Sequence, residues 1–213
     1  MDFEQLRKAM VETQLIPRGI SDKRVLDAFR KVPRHEFIPE NIRSSAYDDR
    51  ALPIGENQTM SQPYMVAVMT EKLQLTGDET VLEVGTGSGY QAAILAELCK
   101  KVYTIERFAD LSQQAKEAVQ KVGCTNVEFI VGDGTEGYAK AAPYDAIIVT
   151  AGCPGLPKPL TEQLKDGGRL VVPVGDAFQQ ILTTVTKQGD KLSVEESVPC
   201  VFVPLLGKYG WKE

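Results

Sequence analysis

The chain has 213 residues, of which 43% are hydrophobic and 25% charged, and its formal net charge is −5 at pH 7. This length and balance fit one globular domain with a substantial core. The acidic balance argues against broad binding to nucleic acid or anionic lipid, which needs a basic surface. The four cysteines have no C-x-x-C spacing and no apolar run approaches the roughly 18 residues of a membrane helix. We therefore expect a cytoplasmic monomer with buried free thiols, no metal site and no membrane segment.

Residues 1–75 are predicted to form helices and loops that cap the rest of the chain. Apolar residues recur at helical spacing in 3–16 and again in 21–32, where Ser21 precedes the first turn as a candidate cap. A third helix is predicted to follow Ser61 and Pro63, since a capping hydroxyl and a proline are both favoured at a helix start. The segment between the second and third helices has no clear period.

From residue 76 onward, short apolar strands alternate with helices. The spacing predicts strands over 80–84, 101–106, 126–131, 144–150 and 167–175. Such alternation is typical of βαβ units, so we predict an α/β fold with a doubly wound, mostly parallel sheet. The tail around the turn "QGDK" is predicted to add an antiparallel hairpin at the sheet edge. Residues 1–213 are then one domain, with the helical cap at 1–75 and the sheet core at 76–213.

The segment "LEVGTGSGY", residues 82–90, is the strongest functional signal. It follows a strand and opens a helix, which is the context that makes a glycine loop meaningful. Glycines 85, 87 and 89 allow a tight turn that lies close against a ligand. The spacing is G-x-G-x-G, whereas the dinucleotide pattern is G-x-G-x-x-G. Glu83 before the loop would oppose a pyrophosphate and would suit a ligand with an ammonium or sulfonium group.

Two further acids end the next two strands. Glu106 follows Glu83 by 23 positions, near the spacing at which an acid accepts hydrogen bonds from ribose hydroxyls. Asp133 stands in "VGDGTEG" at the carboxyl end of the third strand, where a carboxylate can accept from an adenine amino group. Ligands of open α/β sheets bind at this edge. A cationic amino acid, a ribose and an adenine in this order describe S-adenosylmethionine.

With these motifs the chain resembles the class I methyltransferases, whose fold is Rossmann-like. Together with "VPRHEFIP", "QTMSQPYMVA", "PYDAIIVTAG" and the tail "FVPLLGKYGW", it is similar over nearly its whole length to the protein-L-isoaspartate O-methyltransferases. The resemblance implies methyl transfer from S-adenosylmethionine to the free α-carboxylate of L-isoaspartyl residues in damaged proteins and peptides. The ester then collapses to a succinimide, whose hydrolysis returns some normal aspartate. It also implies that the last two strands are placed differently from the usual methyltransferase order.

The resemblance assigns roles to named residues. Ser61 is the implied active-site residue, and its neighbours Gln62 and Pro63 join it at the substrate together with Val203, Pro204 and Leu205, along which an extended substrate backbone is expected to pair. The expected cofactor-binding set comprises Thr59, Met60, Glu83, Gly85, Thr86, Gly87, Ser88, Gly89, Glu106, Arg107, Asp133 and Gly134. Some family members carry a histidine three positions after the serine, where this chain has Tyr64, so any role of that histidine is lost or falls to the phenol.

This chemistry suits a chain whose single histidine is His35. A carboxylate acceptor is already ionised at pH 7, so no general base is required. The enzyme has to hold donor and acceptor in a near-attack geometry and exclude water. The Ser61 hydroxyl would donate a hydrogen bond to the carboxylate and select the attacking oxygen. We expect His35, among turn residues, to be structural.

Three alternatives stay open at this point. One is a nicotinamide-dependent dehydrogenase, against which the glycine spacing and Glu83 argue. Another is a protein that binds S-adenosylmethionine without transferring the methyl group. The third is a methyltransferase for a small-molecule or nucleic-acid acceptor; the acidic pI and the lack of an Asn-Pro-Pro-aromatic type motif after the fourth strand argue against nucleobases.

Overall fold

The structure, a computed structural model, describes residues 1–212 and contains a two-stranded sheet, β1 (Leu52–Gly55) and β2 (Gln58–Met60), and a seven-stranded sheet. The strands of the larger sheet are β3 (Thr80–Val84), β4 (Lys101–Glu106), β5 (Val127–Val131), β6 (Tyr144–Val149), β7 (Leu164–Gly175), β8 (Gln180–Gln188) and β9 (Lys191–Cys200). They lie in the order β5-β4-β3-β6-β7-β8-β9. Strands β3 to β7 pair in parallel, and β8 and β9 pair antiparallel to their neighbours. The predicted α/β fold and C-terminal hairpin are confirmed, and the hairpin adds its strands in chain order.

Helices cover both faces of the sheet, and the apolar runs of its central strands explain why. In β3 and β6 nearly every side chain is buried, which is typical of a parallel strand enclosed on both faces. The helices are α1 (Phe3–Met10), α2 (Lys23–Lys31), α3 (Pro63–Leu73), α4 (Tyr90–Ala96), α5 (Ala109–Lys121) and α6 (Lys158–Glu162). None of them is long and apolar enough to cross a membrane, nor is any other helix within residues 1–212.

The N-terminal region differs from the prediction in three details. It contains a two-stranded antiparallel sheet, β1 (Leu52–Gly55) with β2 (Gln58–Met60), where only helices and loops were expected. The cap of α2 is Asp22, whose side chain accepts from the amides of Arg24 and Val25, so the assignment of Ser21 was wrong. Helix α3 does begin at Pro63, but its cap residue is Gln62 and no side chain caps it. The hydroxyl of Ser61 is therefore not used as a helix cap.

The topology places the carboxyl ends of β3 and β6 side by side at the reversal of strand order. The chain leaves β3 towards β4 and β5 on one side and returns to β6 on the other. A crevice forms above such a switch point, and open α/β sheets bind their ligands there. Strand β2 and Ser61, which follows it, line this crevice, as do residues 203–206 of the C-terminal segment after β9.

Candidate active site

A cleft of about 900 Å³, part of it open to solvent, lies at this switch point. Its wall is formed by the ends of β2, β3, β4 and β6, the loops that follow them and the C-terminal segment. Of the residues predicted from the sequence to bind a cofactor, the wall includes Thr59, Met60, Gly85, Thr86, Gly87, Ser88, Glu106, Arg107 and Gly134.

The glycine loop lies close to its neighbours, which leaves room for a ligand but not for side chains. Gly85 has φ +96°, and a Cβ there would collide with the Thr150 hydroxyl. Gly89 has φ +86°, and its Cβ would meet Ala115 and Val119 of α5 at 3.0–3.1 Å. Gly89 thus serves the packing of α4 against α5, which explains why it is absent from the cleft wall.

Glu106 is held rigidly at the carboxyl end of β4. Its Oε2 accepts from the amide of Gly87 at 2.9 Å, and its Oε1 accepts from the amide of Phe108 at 3.1 Å. The residue is only 6% exposed, yet it lines the cleft. Because each carboxylate oxygen can accept more than one hydrogen bond, both retain capacity for hydroxyl donors of a ligand.

Glu83 does not reach the cleft wall, contrary to its predicted contact with a cationic group. It is fully buried, and its Oε2 accepts at 2.5 Å from the hydroxyl of Thr104, which lies 2.6 Å from the hydroxyl of Thr86. Burial raises the pKa of Glu83 to about 8, and the Thr104 hydrogen bond acts in the opposite direction. Its Oε1 has no partner among residues 1–212. Only Thr86, through Thr104, connects this carboxyl to the cleft.

Asp133 follows β5 as predicted, but its carboxylate holds the C-terminal segment. Oδ1 accepts from the amide and hydroxyl of Thr135, and Oδ2 accepts from the amide of Lys208 at 2.9 Å. Burial raises the pKa of Asp133, but these hydrogen bonds outweigh it and leave the pKa below its usual value. Asp133 lines a separate cleft with Arg107 and Gly207, next to the main one. The predicted contact with an adenine amino group would have to form beside these existing bonds.

A second cleft adjoins the first, and Ser61 stands on the wall between them. The residues that line both are Thr59, Ser61, Thr150 and Val203. The second cleft is otherwise lined by Arg18, Ala51, Gln62, Tyr64, Met65, Val198, Pro199, Cys200, Val201 and Phe202. A ligand in one cleft would therefore meet a ligand in the other near these four residues, one of which is Ser61. Of the predicted substrate-binding residues, Pro63 lines neither cleft, and Pro204 and Leu205 line only the first.

The segment after β9 is fixed by backbone pairing with the loop after β6. The amide of Gly152 donates to the carbonyl of Val203, and the amide of Leu205 donates to the carbonyl of Gly152, both at 2.8 Å. Phe202 is held through its amide by Gln180. This pairing already uses one edge of 203–205, so an extended substrate could use only the opposite edge.

The Ser61 hydroxyl makes no hydrogen bond to any part of the described chain, whereas its carbonyl accepts from Nη2 of Arg34 at 2.7 Å. The hydroxyl is thus available to a ligand. His35 is elsewhere: its ring stacks on Phe3 at 4.0 Å and its Nδ1 lies 2.9 Å from the Tyr47 hydroxyl. Burial lowers the pKa of His35. These contacts are those of a structural histidine.

Sequence reasoning missed Thr150, Gln91 and Arg34 as site residues. Thr150 follows β6, and its hydroxyl donates to the Gly85 carbonyl at 2.6 Å, which ties the glycine loop to the sheet. Gln91 lines the first cleft and donates to the Thr70 hydroxyl. Thr150 could have been found from its position at the carboxyl edge of the sheet. Gln91 and Arg34 depend on contacts with residues distant in sequence.

No group of three or more His, Cys, Asp or Glu that could hold a metal occurs in residues 1–212.

The fold and this pair of clefts define a class I methyltransferase. The sheet carries a glycine loop after β3, an acid at the end of β4 and an Asp-Gly pair after β5, and the second cleft opens beside the first. The family model described as protein-L-isoaspartate(D-aspartate) O-methyltransferase matches residues 5–210. The chain belongs to this family.

Relatives that match this chain over nearly their whole length are protein-L-isoaspartate O-methyltransferases. The protein-L-isoaspartate O-methyltransferase of Geobacter metallireducens is 56% identical over 212 residues, covering 99% of this chain and 98% of its own. That of Methanoculleus marisnigri is 53% identical, covering 97% and 94%. A solved protein-L-isoaspartate O-methyltransferase superimposes with a TM-score of 0.86 at 32% identity, over 96% of this chain and 67% of that one. A Plasmodium falciparum protein described as a protein-L-isoaspartate O-methyltransferase was solved in complex with S-adenosyl-L-homocysteine. It superimposes with a TM-score of 0.82 at 23% identity, over 97% of this chain and 99% of that one, and this similarity supports the fold.

Proposed function

We propose that this protein methylates the free α-carboxylate of L-isoaspartyl residues in damaged proteins and peptides, with S-adenosylmethionine as the methyl donor. The position of Ser61 carries this proposal: its hydroxyl, unbonded within residues 1–212, stands where the cleft that carries the glycine loop meets a second cleft bordered by residues 198–203. Family membership over residues 5–210 supports the reaction, and it favours an isoaspartyl acceptor over the small-molecule, nucleic-acid and binding-only alternatives.

The first cleft fits the proposed cofactor. Glu106 and Arg107 are the charged residues on its described wall, so no basic cluster is present there for a pyrophosphate. This is the main physical argument against a nicotinamide dinucleotide. The Glu106 carboxylate would accept from ribose hydroxyls, and the backbone of Gly85 and Gly87, which line the cleft without a side chain, allows close approach. When bound, S-adenosylmethionine supplies a methyl group activated by its sulfonium.

The chain's own residues contribute position and desolvation to the reaction. An α-carboxylate has a pKa of about 3.5 and is ionised at neutral pH, so it needs no general base. This agrees with the location of His35 away from both clefts. Ser61 would donate one hydrogen bond to the carboxylate and leave the other oxygen to attack. The apolar wall of 198–203 would exclude water, and orienting the acceptor accounts for roughly 7–11 kcal/mol of the barrier in well-aligned systems.

The product ester is more reactive than the carboxylate. The backbone amide nitrogen of the next residue attacks the ester carbonyl and methanol leaves with the amide proton, which closes a succinimide whose hydrolysis yields some aspartate. The protein would therefore act in repair, on polypeptides as partners. We further propose that it works as a cytoplasmic monomer and does not bind nucleic acid. The four free cysteines, three of them buried, suit a reducing compartment, and the net charge of −5 opposes binding to polyanions.

A methanol-release assay with two peptides that differ only in isoaspartyl against aspartyl linkage tests the function. We expect release from the isoaspartyl peptide and essentially none from the other. Equal release from both, or none from either, would contradict the proposal. Titration of the protein with S-adenosylhomocysteine and with NADH separates it from the dehydrogenase alternative, which predicts binding of NADH only.

A further inference from the structure

Arg34 lies directly behind Ser61 and is 0% exposed. Its Nη2 donates to the Ser61 carbonyl at 2.7 Å, and its Nε donates to the Ala46 carbonyl at 2.8 Å. Its guanidinium carbon stands 4.7 Å from the centre of the Tyr90 ring. Since Tyr90 opens the helix after the glycine loop and lines the cofactor cleft, this one side chain contacts both halves of the site.

The positive charge of Arg34 has no carboxylate partner in the described chain. The atoms that accept its hydrogen bonds are neutral, and its Nη1 makes no hydrogen bond of normal geometry within residues 1–212. The polar group beside it is the phenol of Tyr90, which is neutral at pH 7 and does not supply a negative charge. Asp49 attracts it from a distance, but the Asp49 carboxylate is already paired with Arg18 at 2.8 Å. Burial lowers the pKa of Arg34 to about 10, so the guanidinium is still charged at pH 7.

A buried charge without an ion pair is costly, and natural proteins rarely retain one without a partner. The missing partner is an anion. The guanidinium already touches the backbone of Ser61, whose hydroxyl faces the two clefts in which a ligand could bind. The proposed acceptor is an anion that binds there.

We propose that Arg34 is a positioning residue that fixes Ser61 and supplies the countercharge for the acceptor carboxylate. This inference rests on the proposed function. Methylation converts the carboxylate into a neutral ester. The electrostatic attraction to Arg34 is therefore present for the substrate and lost for the product. Arg34 therefore favours substrate binding and product release, and it does not stabilise the transition state more than the substrate.

The test compares two peptides on protein saturated with S-adenosylhomocysteine. One carries the isoaspartyl α-carboxylate, and the other carries the neutral α-carboxamide at the same residue. Because two unit charges attract appreciably over several ångströms at an effective dielectric constant of about 20, we expect the wild type to prefer the carboxylate by roughly tenfold or more. Arg34→Met should remove most of this preference and raise KM more than it lowers kcat. Arg34→Lys should keep the preference and lower kcat, because the ammonium lacks the fork that fixes Ser61.

Arg24→Met is the control for loss of a guanidinium that holds backbone carbonyls, at an exposed position. Arg24 also donates to two backbone carbonyls, those of Leu75 and Leu98 at 2.6 and 2.9 Å, but it lines neither cleft. Its loss should leave the ratio of the two affinities unchanged. If Arg34→Met does not fold, Arg34→Gln replaces it.

Equal wild-type affinity for the two peptides would overturn the inference, and so would an unchanged ratio in a folded Arg34 variant without the charge. A wild type that releases no methanol from the isoaspartyl peptide would instead refute the proposed function, so the two failures are distinguishable.

Discussion

The amide of Gly87 donates to Oε2 of Glu106 at 2.9 Å, joining the glycine loop after β3 to the acid at the end of β4. With Oε1 held by the Phe108 amide, the carboxylate is fixed before any ligand arrives. In Glu106→Gln, one of these amides would face an NH₂ group, and the negative charge that accepts from ribose hydroxyls would be gone. Hydrogen bonds to charged groups contribute about 1.5–3 kcal/mol, so affinity for S-adenosylhomocysteine should fall by roughly 10- to 100-fold, as measured by calorimetry.

Glu128→Gln is the control for that substitution. Glu128 lies on the edge strand β5 and pairs with Lys101 at 3.3 Å, away from the clefts. It should bind S-adenosylhomocysteine like the wild type. If Glu106→Gln also bound normally, Glu106 would not contact the ribose.

Ser61→Ala should separate cofactor binding from turnover. Because the hydroxyl makes no hydrogen bond to residues 1–212, its removal should change the free energy of unfolding by less than about 0.5 kcal/mol. Loss of a hydrogen bond to a carboxylate should lower kcat/KM for an isoaspartyl peptide by roughly 10- to 100-fold. Affinity for S-adenosylhomocysteine, measured on the same preparation, should stay within about threefold. A collapse of that affinity would instead assign Ser61 to the cofactor site.

Local patterns predicted the sheet and the glycine loop, because apolar runs and glycine spacing act within a few residues. The β1–β2 hairpin escaped prediction, since residues 52–60 include a proline and show no strand period. The partner of Asp133 escaped because Lys208 is 75 positions away. The sequence placed Glu83 on a strand, but only the assembled sheet decides that its side chain points into the core and towards Thr104. Contacts of this kind depend on packing between distant segments, as does that of Arg34 with Ser61.

Gly85→Ala tests the close approach of Thr150 to the glycine loop. Alanine at φ +96° costs about 1–2 kcal/mol from backbone strain, and its Cβ would in addition collide with the Thr150 hydroxyl. Gly123→Ala is the matched control, since Gly123 has φ +87° and nothing within 4 Å of the added Cβ. Urea unfolding should show a larger loss of unfolding free energy for Gly85→Ala than for Gly123→Ala. Affinity for the cofactor should be lost only in Gly85→Ala. Adding Thr150→Ala to Gly85→Ala should recover part of the lost unfolding free energy. Equal losses of unfolding free energy in Gly85→Ala and Gly123→Ala would show that Thr150 does not crowd the loop.

Glu83 should make the protein less stable as the pH rises. Burial raises its folded pKa to about 8 from an ordinary value of 4.5. Between these two values the folded state holds a proton that the unfolded state has released, so stability falls with increasing pH across this window. The loss is on the order of a few kcal/mol if the carboxyl stays fully buried.

Glu83→Gln tests this pH dependence. The glutamine keeps an oxygen for the Thr104 hydroxyl and cannot ionise, so position 83 should contribute no difference in unfolding free energy between pH 5.5 and pH 8.5. The difference in unfolding free energy between Glu83→Gln and the wild type should therefore grow in favour of the glutamine variant from the lower to the higher pH. A difference that stays constant would show that Glu83 does not titrate in this range.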